Sequence, residues 1–159
     1  MNYQQSLHVL TQVCSELHGT GLTADASIVL TNMFPTILPQ ALAILDQGKV
    51  IRFQCEKSSR TFFRVKEPSQ QKEKDALPIY FDVLQDFCFC SYYARECLSD
   101  KGSSVMCKHV LAARLALALE SQGLLESKSI EDNDFAPLLL NSKAHQQKYE
   151  QKIVQKSGK

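Results

Sequence analysis

The sequence lacks the features that would place its 159 residues in several broad classes of protein. Its formal net charge is only +1, so the chain as a whole has no electrostatic preference for nucleic acid or for a membrane surface. Its most apolar stretch, 110–119, is interrupted by Arg114 and is too short to span a bilayer. The first ten residues lack the basic start and apolar run of a secretory signal. We therefore expect a soluble intracellular protein that does not bind membranes.

Two common enzyme signatures are missing as well. The sequence has no H-E-x-x-H motif, which zinc hydrolases use, and no Walker-type glycine loop for nucleotide phosphates. We therefore predict a protein that is not an enzyme and has no small-molecule substrate.

Composition and length are typical of one globular domain. The chain is 44% apolar and 22% charged, which allows a modest hydrophobic core. It contains six cysteines. In a reducing intracellular setting these are expected to be free or bound to a metal rather than paired in disulfides.

The apolar periodicity of residues 1–48 predicts an N-terminal helical segment. Three helices are expected, at residues 7–17, 24–33 and 39–47. Thr23 is a suitable N-cap for the second helix, and Pro39 occupies the first turn of the third.

The pattern then changes to that of β-strands. Two β-rich runs, 49–55 and 61–65, predict a hairpin, and 79–87 predicts a third strand. The polar segment 66–78 between them is predicted to be an exposed loop. With a later helix, these elements predict an α+β fold that has N-terminal helices, a three-stranded antiparallel sheet and a C-terminal helix tethered to the sheet.

Three cysteines and one histidine have the spacing of a metal site. Cys88 and Cys90 form a C-x-C pair, and Cys107 and His109 form a C-x-H pair after sixteen intervening residues. Three thiolates and an imidazole are the ligands of a closed tetrahedral zinc site, which leaves no position for a water to be activated. We predict one structural Zn²⁺ bound by these four residues.

The spacing within each pair predicts where the pair lies. Residues i and i+2 of a strand point to the same side, so Cys88 and Cys90 fit the end of a strand. On a regular helix such residues lie about 200° apart. Cys107 must therefore lie at a helix cap and His109 in the first turn. The cap also favours a thiolate, because the backbone N–H groups and the helix dipole stabilise negative charge there.

Cys97 is an alternative fourth ligand. It could replace His109 in a four-cysteine site, although its place in a predicted helix, 91–98, favours a small core residue. The other cysteines and histidines are predicted not to bind the metal. They are Cys14, Cys55, His8, His18 and His145.

These residues resemble a known family. C-F-C at 88–90, C-K-H at 107–109 and Ala112 match the C-x-C-x(n)-C-x-H-x-x-A signature of the SWIM zinc finger. Two flanking segments, 40–46 before the hairpin and 135–140 after the finger, are most similar to the small SWIM-domain subunit of Shu-type complexes. The resemblance implies a ββα-type finger in this chain.

The same resemblance implies a function in homologous recombination. Shu-type complexes promote DNA repair by assisting RecA-family recombinase filaments, and their SWIM subunit pairs with a recombinase-paralogue-like protein. The chain would then be a nuclear adaptor in a hetero-oligomer that acts on DNA damage through protein–protein interaction.

A nucleic-acid-binding SWIM module is the alternative function. It would contact DNA directly, if weakly, through basic residues near the finger and in the tail. These residues are Arg95, Lys101, Lys108, Arg114, Lys143, Lys148, Lys152, Lys156 and Lys159.

The helix after the finger has more apolar surface than a small sheet can cover. The N-terminal helices are expected to cover its main stripe, which includes Leu111 and Leu115. Val110 and Leu117 lie on a different side of the helix and are predicted to form part of a partner surface, for which the exposed part of 138–140 is the alternative.

The chain is expected to have two further parts after residue 48. Residues 49–122 would hold the hairpin and the SWIM finger, whose core is 79–119. Residues 123–159 would comprise an acidic linker at 126–134, a short apolar segment and a lysine-rich tail. Whether the apolar side chains of 135–140 dock on this chain or on a partner stays open.

Overall fold

The computed structural model describes residues 3–47, 49–68, 78–99 and 104–140. The helices in these ranges are α1 (Tyr3–Leu17), α2 (Ala24–Met33), α3 (Leu38–Gln47) and α4 (Lys108–Ala118). The strands are β1 (Lys49–Cys55), β2 (Thr61–Lys66), β3 (Tyr80–Leu84), β4 (Phe87–Cys88) and β5 (Leu125–Ile130). A π-helical turn spans Tyr93–Cys97, and 3₁₀ turns span Glu120–Gln122 and Asp132–Asp134. None of the described helices is both long and apolar enough to cross a membrane.

Local sequence signals determine the ends of the N-terminal helices. Thr23 is the N-cap of α2: its backbone is extended, and its hydroxyl oxygen accepts a hydrogen bond from the Ala26 N–H at 3.2 Å. The helix ends where the Phe34 N–H donates to the Leu30 carbonyl at 2.8 Å, directly before Pro35. The prediction of Thr23 as a cap is confirmed.

The fold class is α+β as predicted, but the described sheet has five strands rather than three. The strand order is β4-β3-β2-β1-β5. Strands β1 to β4 pair antiparallel with their sequence neighbours, so the predicted hairpin of β1 and β2 is confirmed. Strand β5 pairs with β1 in parallel, with Val50 opposite Leu125.

The segment predicted as one third strand, 79–87, forms β3 and the start of β4. Gln85 has a φ of +53°, a backbone conformation that residues other than glycine seldom adopt. The turn at Gln85 and Asp86 reverses the chain, so that Val83 in β3 lies opposite Cys88 in β4. This reversal pairs Cys88, on the edge strand β4, with β3.

Strand β5 replaces half of the expected acidic linker, 126–134. Its four central residues are polar, which is tolerated because β5 lies at the sheet edge. Its apolar ends contact opposite faces of the sheet: Leu125 joins the core beneath the helices, and Ile130 packs on the other side. The linker prediction is therefore wrong for residues 126–130.

The two faces of the sheet bury separate cores. On the face toward the helices, Val50 and Val65 join a large core that includes α4. Side chains alternate along a strand, so their neighbours point to the opposite face. There Phe53 and Phe62 stack with ring centroids 4.8 Å apart. We name this smaller group the second core. Its buried members are Ile51, Phe53 and Phe62.

Residues 131–140, which we name the C-terminal strap, cover the second core. Phe135, Leu138 and Leu139 pack against it, and the Phe135 ring meets Phe62 edge-on at 5.4 Å. Leu140 remains exposed. Phe135, Leu138 and Leu139 therefore dock on this chain.

Helix α4 lies between the N-terminal helices and the sheet. Leu111 and Leu115 are fully buried, and α4 contacts α1 and α3, so the expected cover of its main stripe is confirmed. Val110 is also buried, at 1% exposure, because α4 contacts the strands on its other side. The prediction that Val110 forms part of a partner surface is wrong. Leu117 keeps 40% of its surface exposed.

Candidate metal centre

The structure brings the four predicted ligands together. The ligand atoms of Cys88, Cys90, Cys107 and His109 all lie within 4.8 Å of one another, and all four residues are buried. Such a group is compatible with a metal site. It joins the end of β4 and the residues just after it to the beginning of α4.

Each pair occupies the kind of position that its spacing predicts. Cys88 is the last residue of β4, and Cys90 follows two residues later. Cys107 is the N-cap of α4, with extended backbone at φ −92° and ψ 168°, and His109 lies in the first turn. The Tyr93 N–H donates to the Cys90 sulfur at 3.3 Å, which stabilises a thiolate there.

The imidazole of His109 turns its Nδ1 atom toward the sulfurs. Nδ1 lies 3.6 Å from the Cys88 sulfur and 3.8 Å from the Cys107 sulfur. A zinc ion with ordinary bond lengths would hold a nitrogen and a sulfur about 3.5 Å apart. The other ring nitrogen, Nε2, lies 2.5 Å from Oε1 of Glu67. The ring thus presents Nδ1 as its ligand atom and Nε2 to a carboxylate.

The pKa values of the centre reflect how closely the thiols lie. Hydrogen bonds with Cys107 and Cys90 raise the pKa of the Cys88 thiol, whereas those from Cys107 and Cys88 lower the pKa of Cys90. Burial alone would lower the pKa of His109, but hydrogen bonds with its neighbours, first Cys107, raise it to about 10. Three sulfur atoms packed this closely can all carry negative charge only beside a cation. The donor set therefore fits a metal cation, which would displace the protons on binding.

Glu67 belongs to the centre, although it lies in the segment 66–78, which is predicted to be an exposed loop. Its N–H donates to the Ile79 carbonyl at 3.0 Å. This hydrogen bond connects the start of the 66–78 segment to the residue that follows its end. Residues 69–77 of that segment lie outside the described residues. Burial on its own would raise the pKa of Glu67, but hydrogen bonds with His109 and Lys108 hold it below its usual range. No local pattern marks this residue, because only the folded sheet brings it to His109.

Phe81 is a second contributor that the sequence analysis missed. Its ring stacks on the imidazole of His109, with centroids 4.2 Å apart and 28° between the planes. Phe81 lies on β3, on the face toward the helices, and also packs against the large core. The imidazole is thereby held in one plane by an apolar neighbour as well as by a carboxylate.

A small cleft opens beside the centre. Its volume is about 210 Å³, which is smaller than the roughly 300–1,000 Å³ of most small-molecule pockets. Side chains of α3, β3 and the start of α4 line it. Gln40 of α3 and Lys108 of α4 are among them, and Ile37 and Tyr92, which lie outside these elements, also line the cleft.

Cys97 is not part of the group of four. It is half-buried, and burial together with the nearby charge of Cys107 raises the pKa of its thiol to about 12. Cys14 packs against the large core and Cys55 is buried, but neither belongs to the group of four, and His8 and His18 are also outside it. His145 lies outside the described residues.

The basic side chains near the centre are paired with acids wherever the structure describes them. These ion pairs are Arg95 with Glu96, Lys108 with Glu67, and Arg114 with Asp86. Lys101 and the lysines of the tail lie outside the described residues. The described surface around the centre therefore carries little unbalanced positive charge for a phosphate backbone.

Comparisons of the chain with protein-family models, with curated proteins and with solved structures return no match.

Proposed function

We propose that the chain is a zinc-stabilised adaptor of the SWIM type that pairs with a recombinase-paralogue-like protein. The observation that carries this proposal is the buried group of three cysteines and one histidine at the junction of β4 and α4. Three thiolates and one imidazole suit a tetrahedral zinc ion, since softer sulfur ligands favour zinc over magnesium or calcium.

A structural metal accounts for the arrangement better than a catalytic one. Four protein ligands complete the tetrahedral shell of zinc and leave no open position for a water or a substrate. The ion would instead tie α4 to the sheet, and α4 contributes to the core from both sides. We therefore propose a non-enzymatic protein whose zinc holds a binding surface in place.

The surface proposed for the partner lies where α4 meets the turn between β3 and β4. Phe87 and Leu117 are 38% and 40% exposed. Phe87 follows Asp86 in the chain, Leu117 is one helical turn after Arg114, and Asp86 and Arg114 form an ion pair. Two exposed apolar side chains beside a paired charge are typical of a protein interface, and they offer little to a nucleic acid.

The class of partner comes from the SWIM-like sequence features. C-x-C, C-x-H and Ala112 occur at the spacing found in the SWIM subunits of Shu-type complexes, which act on recombinase filaments. On this basis we propose a nuclear role in the repair of damaged DNA by homologous recombination. Direct DNA binding remains the weaker alternative, because the described basic residues near the centre are paired.

The test is co-expression with a recombinase-paralogue-like protein of the same organism, followed by pull-down and measurement of zinc by mass. Cys88→Ser and His109→Ala are each expected to lose zinc and the partner together. Leu117→Asp is expected to keep one zinc per chain and to weaken partner binding at least tenfold, because it places a charge in the interface.

Ile28→Asp is the matched control, since Ile28 is an exposed apolar residue on α2 rather than α4. It should leave both zinc and partner unchanged. Partner binding that persists in the zinc-free variants, or that is equal in Leu117→Asp and Ile28→Asp, would contradict the proposal.

A further inference from the structure

We infer that Glu67 is the positioning residue of the metal centre: it fixes His109 with Nδ1 toward the ion and thereby sets the metal affinity. This inference rests on the zinc site of the proposed function and extends it to a residue outside the ligand set. It begins from the 2.5 Å separation of Glu67 Oε1 and His109 Nε2.

A histidine has two ring nitrogens, and a partner on one of them determines the role of the other. A carboxylate accepts a hydrogen bond, so Glu67 keeps a proton on Nε2, and Nδ1 is then the nitrogen that would give up its proton to a metal. Nδ1 is the atom that lies 3.6 Å from the Cys88 sulfur. The carboxylate also makes the imidazole a better electron donor to a metal.

Glu67 is itself held in place, which a positioning residue requires. Its backbone N–H is bonded to the Ile79 carbonyl, and its carboxylate receives the Lys108 ammonium group, 2.9 Å from Oε1. The side chain is 15% exposed, so water competes little for the bond to His109. Lys108 and His109 are consecutive residues of α4, so the carboxylate contacts both side chains at the start of this helix.

Removal of the carboxylate is therefore expected to weaken metal binding without removing a ligand. Loss of such a partner of a ligating histidine lowers metal affinity about 10–100-fold. We expect this loss for zinc in Glu67→Ala and a smaller loss in Glu67→Gln, because the amide oxygen can still accept a hydrogen bond from Nε2.

The experiment measures zinc affinity by competition with a chelator and follows the His109 ring by long-range ¹H–¹⁵N NMR in the full chain. Wild type should show a metal-bound Nδ1 and a slowly exchanging Nε2 proton. In Glu67→Ala that proton should exchange faster with water. Glu126→Gln is the control of the same chemistry, because Glu126 pairs with Lys49 on β1 rather than with His109.

Lys108→Met is a second control, since it removes the cation and leaves the bond between Glu67 and His109. It should retain more zinc affinity than Glu67→Ala. If Glu67→Ala does not fold, Glu67→Gln carries the test, and a zinc affinity equal to that of wild type in this variant overturns the inference.

The outcomes separate the two proposals. Equal zinc affinity in wild type and Glu67→Ala overturns the role of Glu67 and leaves the zinc site intact. A wild-type chain that binds no zinc overturns both.

Discussion

Arg64 joins three structural features on the outer face of the sheet. Its guanidinium donates to both carboxylate oxygens of Asp82, at 2.9 and 3.1 Å, and to the Leu138 carbonyl of the C-terminal strap at 2.9 Å. It also lies over the rings of Phe53 and Phe62, 5.3 and 5.7 Å from their centroids. Asp82 is only 1% exposed, so its charge is compensated largely by this one side chain.

Arg64→Met should therefore destabilise the chain strongly. The substitution leaves the Asp82 carboxylate buried without its cation, which typically costs about 3–5 kcal/mol of unfolding free energy. Urea denaturation of the zinc-loaded protein measures it. The double variant Arg64→Met/Asp82→Leu should recover most of the loss, because no buried charge remains. A single variant as stable as wild type would show that water reaches Asp82.

The ligands and their supporting residues differ in how far the sequence reveals them. Cys88 and His109 belong to spaced pairs, and the chemistry of metal binding dictates both the residue types and the spacing. Glu67 is separated from His109 by β3, β4 and the π-helical turn. Any acidic residue that the sheet placed at the same point could accept the hydrogen bond from His109, so no local sequence pattern identifies Glu67.

At the scale of elements, the strap converts the outer face of the sheet into a second core. Asp132 accepts hydrogen bonds from the N–H groups of Lys57 and Ser58, and Arg60 lies 4.8 Å from the Phe135 ring centroid. The strap is therefore anchored to the β1–β2 turn by polar contacts and to the strands by apolar ones. Hydrogen bonding, first with the Ser58 side chain, lowers the pKa of Asp132.

Phe135→Ala should loosen the strap and leave the metal centre unaffected. Loss of a partly buried aromatic ring is expected to lower the unfolding free energy by about 2 kcal/mol. Hydrogen exchange should then show weaker protection in the strap and in β2, while the zinc content stays at one per chain. Leu140→Ala, an exposed residue of the same segment, is the control and should change stability by less than about 0.5 kcal/mol.

The elements that the sequence reveals are those whose stability is local. The cap at Thr23 and the alternation of apolar and polar residues in β1 depend on only a few neighbouring residues. They can therefore be recognised in the local sequence. Strand β5 can be polar because it is an edge strand that pairs only with β1. Its two apolar residues lie at its ends and show no strand periodicity in the sequence. The prediction that Val110 faces a partner is wrong because a helix that is covered on several sides needs no polar face.

The whole molecule should respond to loss of the metal as one unit. Cys107 of the centre is the N-cap of α4, and α4 contacts α1, α3 and four of the strands. Chelation of the proposed zinc is therefore expected to lower the thermal midpoint of the entire chain rather than to unfold only the residues around the four ligands. Hydrogen exchange with and without chelator measures this: protection in α1 and β1 should fall together with protection near Cys107. Undiminished protection in α1 would show that the helical segment folds independently of the metal.

The parallel pairing of β5 with β1 bears on the order of folding. Val50 pairs with Leu125, and the chain between them contains β2, β3, β4, the four predicted metal ligands and α4. A contact of such long sequence separation is slow to form, because the entropy of closing the loop must be lost first. A metal that joins β4 to α4 shortens this loop before β5 arrives. We therefore expect zinc to accelerate refolding as well as to stabilise the folded chain, with β5 and the strap as the last parts to assemble.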